Sequence, residues 1–341
     1  MKAVVLLTPF SPCPPSRSPS RPIPWASPSP GTPLREKLEA AKAHGFDGVE
    51  VAFECVEANA TQFNTMATRD DRLRASAADI YEKARSLDLK LIALNPFRDF
   101  DGLRNPRQAN ARLQEADLWC QLCQIMHIPI IQVPTALYPL EESKVTTDVC
   151  VIATNMRKLG RLAEKYDLKI GYEAPSWGIH KSTWQEIQEI LARVNLPNRP
   201  GIHSTHLSPI RGSGFDDLYR SLDELKRTVS PEDIVYLQLS DATTADQEQK
   251  GYPNTDLDQP AYMTQSRNCR VFPCEERLGG SLPVMEVAKA VFDMGYTGWV
   301  SMEVFHKDMF HEGNSVPDDW ARRGMESWKN VALRCGLDRR K

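Results

Sequence analysis

The sequence predicts an α/β protein built as a single-domain (β/α)8 barrel. Eight times along the chain, a short run rich in aliphatic and β-branched residues alternates with a longer stretch whose apolar positions have helical spacing. That rhythm marks parallel strands joined by crossover helices. No Gly-x-Gly-x-x-Gly follows any of these runs, which counts against an open dinucleotide-binding sheet. A length of 341 residues holds one barrel of roughly 250 residues with room for insertions.

The first strand is Lys2–Leu7 (KAVVLL). Its apolar run is shorter than the ~7–15 residues of a secretory leader, so a signal peptide is the minor alternative. From Pro9 to Pro33 Ser and Pro dominate, a composition with too little apolar surface to pack. Residues 1–33 therefore read as a strand plus a flexible insert, and 34–341 as the rest of the barrel. The helix Leu34–His44 stops at Gly45, and Gly48–Phe53 (GVEVAF) is the second strand. A helix near Arg69–Ser86 leads to strand Lys90–Asn95, and a helix Gln108–Met126 to Ile128–Val133. A helix Asn155–Tyr166 leads to Lys169–Glu173. A helix Thr183–Val194 then precedes Gly201-Ile-His203-Ser-Thr205, a poor strand by composition. The surrounding stretch, 200–215, is too polar for a barrel core unless its groups find partners. A helix near Asp217–Val229, strand Ile234–Leu239, helix Val284–Met294, strand Gly298–Val304 and helix Asp318–Cys335 complete the pattern.

Composition narrows the function classes. An apolar share of 41% and a charged share of 26% are ordinary for a soluble globular chain. A net charge of −3 leaves no basic footprint for nucleic acid, and no run approaches the ~20 apolar residues of a membrane span. The expected partner is a small-molecule substrate, with no nucleic acid and no membrane. Homo-oligomerisation stays open, and the cytoplasm is the default location. Eight cysteines in a chain this long do not make a disulfide framework. Cys120 and Cys123 form a C-x-x-C inside a helical stretch and read as two small buried side chains, not as zinc or redox chemistry.

In a barrel the active site lies at the carboxyl ends of the strands. The second strand ends near Glu50 and Glu54, the third in Asn95-Pro-Phe-Arg98-Asp99, and the fifth in Tyr172-Glu173. Gln238 lies between Leu237 and Leu239, and Glu303 between Met302 and Val304. Alternation puts each on the face opposite its apolar neighbours, hence toward the barrel interior. With Glu173 they form an oxygen-rich set suited to a divalent metal, Mg2+ or Mn2+. The competing reading is a set of satisfied interior polar groups that hold no metal.

Six stretches decide between these readings: EKLEAAKAHGFDGVEV (36–51), NPFRDFDG (95–102), YEAPSWGIH (172–180), VYLQLSD (235–241), SRNCRVFPCEERLGGSLPV (266–284) and GYTGWVSMEVF (295–305). On them the chain resembles the xylose-isomerase-like TIM-barrel superfamily, that of the sugar phosphate isomerases and epimerases, and within it the fungal 3-dehydroshikimate dehydratases. The resemblance implies a Mg2+ or Mn2+ ion held by a Glu, an Asp, a Gln and a Glu from strands five to eight. Glu173, Gln238 and Glu303 match three of these. At the Asp position stands Thr205, and Ser208 stands where a His closes the motif. His203 or His206 could replace the lost ligand, since imidazole suits Mn2+ or Zn2+.

The reaction so implied removes water from 3-dehydroshikimate to give protocatechuate, in quinate catabolism or a secondary-metabolite pathway. It needs a base within reach of a proton beside the ketone and a cation for the substrate carboxylate. His180, His206 and Glu303 are the catalytic candidates, and Arg98, Arg267 and Arg270 the substrate-binding ones. An isomerase or epimerase acting on another polyhydroxy ketone, and a non-catalytic homologue, are the alternatives. His306 reads as loop surface, with His311 nearby at the barrel mouth. Trp177 and Trp184 read as packing against the rim, and Glu50 as either a supporting partner or part of the pocket.

Overall fold

Eight parallel strands close into a barrel in the computed structural model, which describes residues 1–7, 33–196, 201–204, 215–243, 259–310 and 316–337. The strands are β1 (Lys2–Leu7), β2 (Gly48–Ala52), β3 (Lys90–Asn95), β4 (Ile130–Pro134), β5 (Lys169–Glu173), β6 (Gly201–Ser204), β7 (Ile234–Leu239) and β8 (Trp299–Met302). Each pairs with its neighbours in sequence, and β1 closes the ring on β8 through Lys2 opposite Trp299 and Val5 opposite Met302. The stretch that looked poor as a strand does form β6, pairing Gly171 with Gly201 on one side and Ile202 with Ile234 on the other.

The helices are α1 (Leu34–Ala43), α2 (Phe53–Ala60), α3 (Arg69–Ser86), α4 (Pro106–Met126), α5 (Val149–Glu164), α6 (Trp184–Val194), α7 (Phe215–Thr228), α8 (Ala261–Asn268), α9 (Val284–Asp293) and α10 (Val316–Arg334). Their starts follow local chemistry. Thr68 accepts the Asp71 amide ahead of α3, Asn105 accepts that of Arg107 with Pro106 in the first turn of α4, and Asp148 accepts that of Cys150. Thr183 and Glu186 form a reciprocal capping box on α6. The barrel strands sit close: a Cβ on Gly48 would lie 2.5 Å from the Lys90 carbonyl oxygen, so β2 meets β3 there only with glycine.

Two apolar cores result. The larger lies between strands and helices. The smaller, Val4, Ile92, Ala93, Ile130 and Tyr236, fills the barrel. One inward step further along their strands the residues turn polar, Gln132 after Ile130 and Gln238 after Tyr236.

Three elements differ from the sequence expectation. Phe53 does not extend β2 but begins α2, stacking on Trp119 with ring centroids 4.3 Å apart. The segment after β7 forms α8 and an antiparallel ribbon that pairs Asp241–Ala242 with Arg270–Val271. α5 begins at Val149, six residues before the expected start. Cys120 and Cys123 are buried in α4, and burial pushes both thiols up, Cys120 to about 12. The Pro/Ser-rich segment, Thr205, His206, Ser208 and His311 lie outside the described residues, as does the side chain of His203. No described helix is long and apolar enough to cross a membrane.

Candidate active site

Above the apolar plug the barrel carries a polar layer. Glu50 of β2, Gln132 of β4, Glu173 of β5, Gln238 of β7 and Glu303, just past β8, are all buried, none more than 8% exposed. Glu303 stays in the ladder through its amide, which donates to the Leu239 carbonyl at 3.1 Å. Tyr236 lies within electrostatic reach of all three acids. Burial drives its phenol well above the ordinary range, and Glu50, Glu173 and Glu303 each add to the rise. One hydroxyl therefore feels carboxylates contributed from three sides of the barrel.

Glu50 is the most enclosed of these acids. It accepts from Asn95 Nδ2 at 2.6 Å, Tyr236 Oη at 3.0 Å, and Gln238 Nε2 at 2.9 and 2.7 Å to its two oxygens. Burial first, and then the like charge of Glu303, raise its pKa to about 7, against the pull of these donors. Across the barrel Gln132 Nε2 donates to Glu173. Glu303 is paired with Arg270, carried in by the ribbon. The guanidinium also donates to Ser266 Oγ at 2.9 and 2.5 Å, and lies 5.1 Å from the Phe305 ring centroid and 5.9 Å from that of Trp177.

The layer fits a divalent cation. Gln238 Oε1 and Gln132 Oε1 are buried and accept no hydrogen bond, an expensive state for a carbonyl oxygen. Like charge between Glu50 and Glu303 is a second source of cost that a cation relieves. Among the described residues no three His, Cys, Asp or Glu side chains are grouped to hold an ion unaided. The donor set here is accordingly mixed, two carboxylates with carboxamide oxygen, and β6 borders it.

The other sequence candidates scatter around this layer. His180 is buried, its Nε2 3.5 Å from Asp101 Oδ2, and neither ring nitrogen makes a hydrogen bond. Asp101 in turn accepts from Tyr172 Oη at 2.6 Å and the Ala136 amide at 3.1 Å, tying the loops after β3 and β4 to β5. Gly102 makes room for the ring, since a Cβ there would stand 2.8 Å from His180 Nε2. Arg98 approaches Glu54 at 3.6 Å, and Arg267 donates to Gln259 at 2.9 Å. Arg270 is bound to the glutamate layer through Glu303. His306 packs on Trp320, its ring centroid 5.6 Å away, and burial lowers its pKa. Trp184 is a packing residue, donating to Ser221 Oγ at 2.8 Å, whereas Trp177 faces the Arg270 guanidinium. Sequence reasoning passed over Gln132 and Tyr236, and noted Asn95 only as the end of a strand. Gln132 was detectable by the rule that found Gln238, since it too interrupts an apolar run (IPIIQV).

Comparison with known proteins places this geometry. Residues 38–331 match the family model of the xylose isomerase-like TIM barrel. The chain is 30% identical over 322 residues to a 3-dehydroshikimate dehydratase of Neurospora crassa, covering 88% of this chain and 89% of that one. It is 28% identical over 273 residues to the 3-dehydroshikimate dehydratase of Pseudomonas aeruginosa, covering 80% of this chain but 36% of the bacterial enzyme. Among solved structures, the IolI protein with a bound zinc atom superposes with a TM-score of 0.64 at 17% identity, over 97% of this chain and 98% of that one.

Proposed function

The chain belongs to the xylose isomerase-like TIM barrel family, and from that premise we propose that it is a 3-dehydroshikimate dehydratase, a carbon–oxygen lyase forming protocatechuate. The observation that carries this reading is the buried glutamate–glutamine layer in a chain alignable almost end to end with the Neurospora crassa enzyme. Glu173, Glu303 and the Gln238 carbonyl oxygen would hold a divalent cation, and their oxygen donors favour Mg2+ or Mn2+. When bound there, such a cation would supply polarisation of a ketone oxygen, which would ease loss of a proton from the adjacent carbon.

The chain's own residues supply the rest. Arg270 offers a planar fork suited to the substrate carboxylate, and Phe305 and Trp177 flank it with apolar faces. His180 presents an imidazole with unengaged nitrogens beside Asp101, which suits a group that takes a proton and keeps its orientation. Loss of the proton next to the ketone and of a hydroxyl from the following carbon releases one water and leaves a cyclic dienone, whose enolisation, a ring CH2 proton lost and the ketone oxygen protonated, gives the aromatic ring.

Purified protein incubated with 3-dehydroshikimate and Mn2+ or Mg2+ should produce protocatechuate, read by its ultraviolet absorbance. Chelation should stop turnover, and Glu303→Ala should lower kcat by at least about 100-fold, the scale on which a polarising group is felt. Absence of product with every divalent ion tried would sink the assignment.

A further inference from the structure

We propose that Glu50 is a positioning residue, orienting the Gln238 carboxamide so that Gln238 Oε1, and not Nε2, faces the cation. The inference rests on the metal-dependent reading above. A carboxylate only accepts hydrogen bonds, whereas a carboxamide has one accepting and one donating end. Gln238 Nε2 stands 2.9 and 2.7 Å from the two Glu50 oxygens. The reverse orientation would set the amide oxygen against a carboxylate. Facing Glu50 therefore selects the amide nitrogen, and the opposite end of the group, the buried Oε1 without a hydrogen bond, is left for a cation.

Glu50 is itself held. Asn95 Nδ2 at 2.6 Å and Tyr236 Oη at 3.0 Å fix the carboxylate from β3 and β7. With donors from three side chains around its two oxygens, Glu50 serves its neighbours and leaves direct coordination to Gln238. Outer-shell groups of this kind set the orientation and donor strength of a ligand. A glutamine ligand needs such help more than a glutamate does, because either end of a carboxamide can turn inward.

Titration calorimetry of Mn2+ tests the proposal without relying on turnover. Glu50→Gln, nearly isosteric, no longer distinguishes the two ends of Gln238, and its Mn2+ affinity should fall by about tenfold or more. The reciprocal exchange Glu50→Gln with Gln238→Glu conserves charge. The carboxamide introduced on β2 then donates to a carboxylate on β7 that needs no turning, so affinity should return to near native. A purely structural role for Glu50 would not predict that rescue. Thermal unfolding of the metal-free variants checks folding. Should Glu50→Gln fail to fold, Glu50→Asp, which draws the carboxylate back by one methylene, should weaken Mn2+ in the same direction. Native binding with unchanged affinity in folded Glu50→Gln overturns the inference alone, as does a folded exchange variant that stays weak. A native protein that binds no Mn2+ overturns the inference and the reading beneath it together.

Discussion

At the scale of single residues, Glu50 is where burial and charge oppose each other most. Its pKa rises from an ordinary 4.5 to about 7, so the folded protein holds this proton over a range in which the unfolded chain has lost it. The sign follows from linkage: stability from this group is greatest below pH 4.5 and is lost as pH climbs toward 7. At ~1.4 kcal/mol per pH unit the effect is capped at roughly 3 kcal/mol. Metal-stripped Glu50→Gln, which has nothing to ionise, should therefore melt above the stripped native protein at about pH 8, with the gap closing by about pH 5. Equal melting curves at the alkaline end would show that Glu50 ionises there without cost. The same rule that exposes Glu50 in structure made Gln238 and Glu303 legible in sequence: a polar side chain inside an apolar strand must have a reason. Arg270 followed no such rule. The resemblance offered it as a carboxylate clamp, and only three-dimensional packing puts it on Glu303.

At the scale of elements, the ribbon after β7 matters because it delivers Arg270. Asp241 pins it: its Oδ1 accepts the amides of Ala242, Ser281 and Leu282 at 2.7, 2.9 and 2.8 Å. Asp241→Ala strands these donors and should cost about 2–3 kcal/mol. It should also speed amide exchange at Ser281 and Leu282 and raise KM more than it lowers kcat. Unchanged exchange would mean that the ribbon is held by its backbone pairing alone. Apart from β6, whose four polar-rich residues read poorly as a strand, the barrel strands and their flanking helices were readable because they have enough residues to display a period of two or near 3.6. The ribbon was not, since two-residue strands have no period to display and are set by contacts such as the Arg270 amide on the Phe305 carbonyl. Nor was α2, whose eight residues continue the apolar alternation of β2 through Phe53 and Cys55 before the helical face shows.

At the scale of the whole molecule, barrel closure is what turns isolated strand ends into one site. β2, β5 and β8 each bring a buried glutamate to the layer, β4 and β7 each a glutamine. β6 lies between β5 and β7, so a ligand just beyond it would complete the arc from Glu173 to Gln238. The resemblance implies an Asp there, and matched without a gap Thr205 takes its place in this sequence. Affinity for a hard dication follows the number and charge of its oxygen ligands, so with Thr205 the native protein should bind Mn2+ weakly and turn over slowly. Thr205→Asp should tighten Mn2+ binding in calorimetry by about tenfold or more, a gain of roughly 1.4 kcal/mol. Adding Glu303→Ala to Thr205→Asp should abolish that gain, because the new carboxylate can only help an ion the other strands already hold. If the native protein instead binds Mn2+ tightly and Thr205→Asp changes nothing, the ligand from this strand is already present. His203→Ala and His206→Ala would then show which imidazole supplies it.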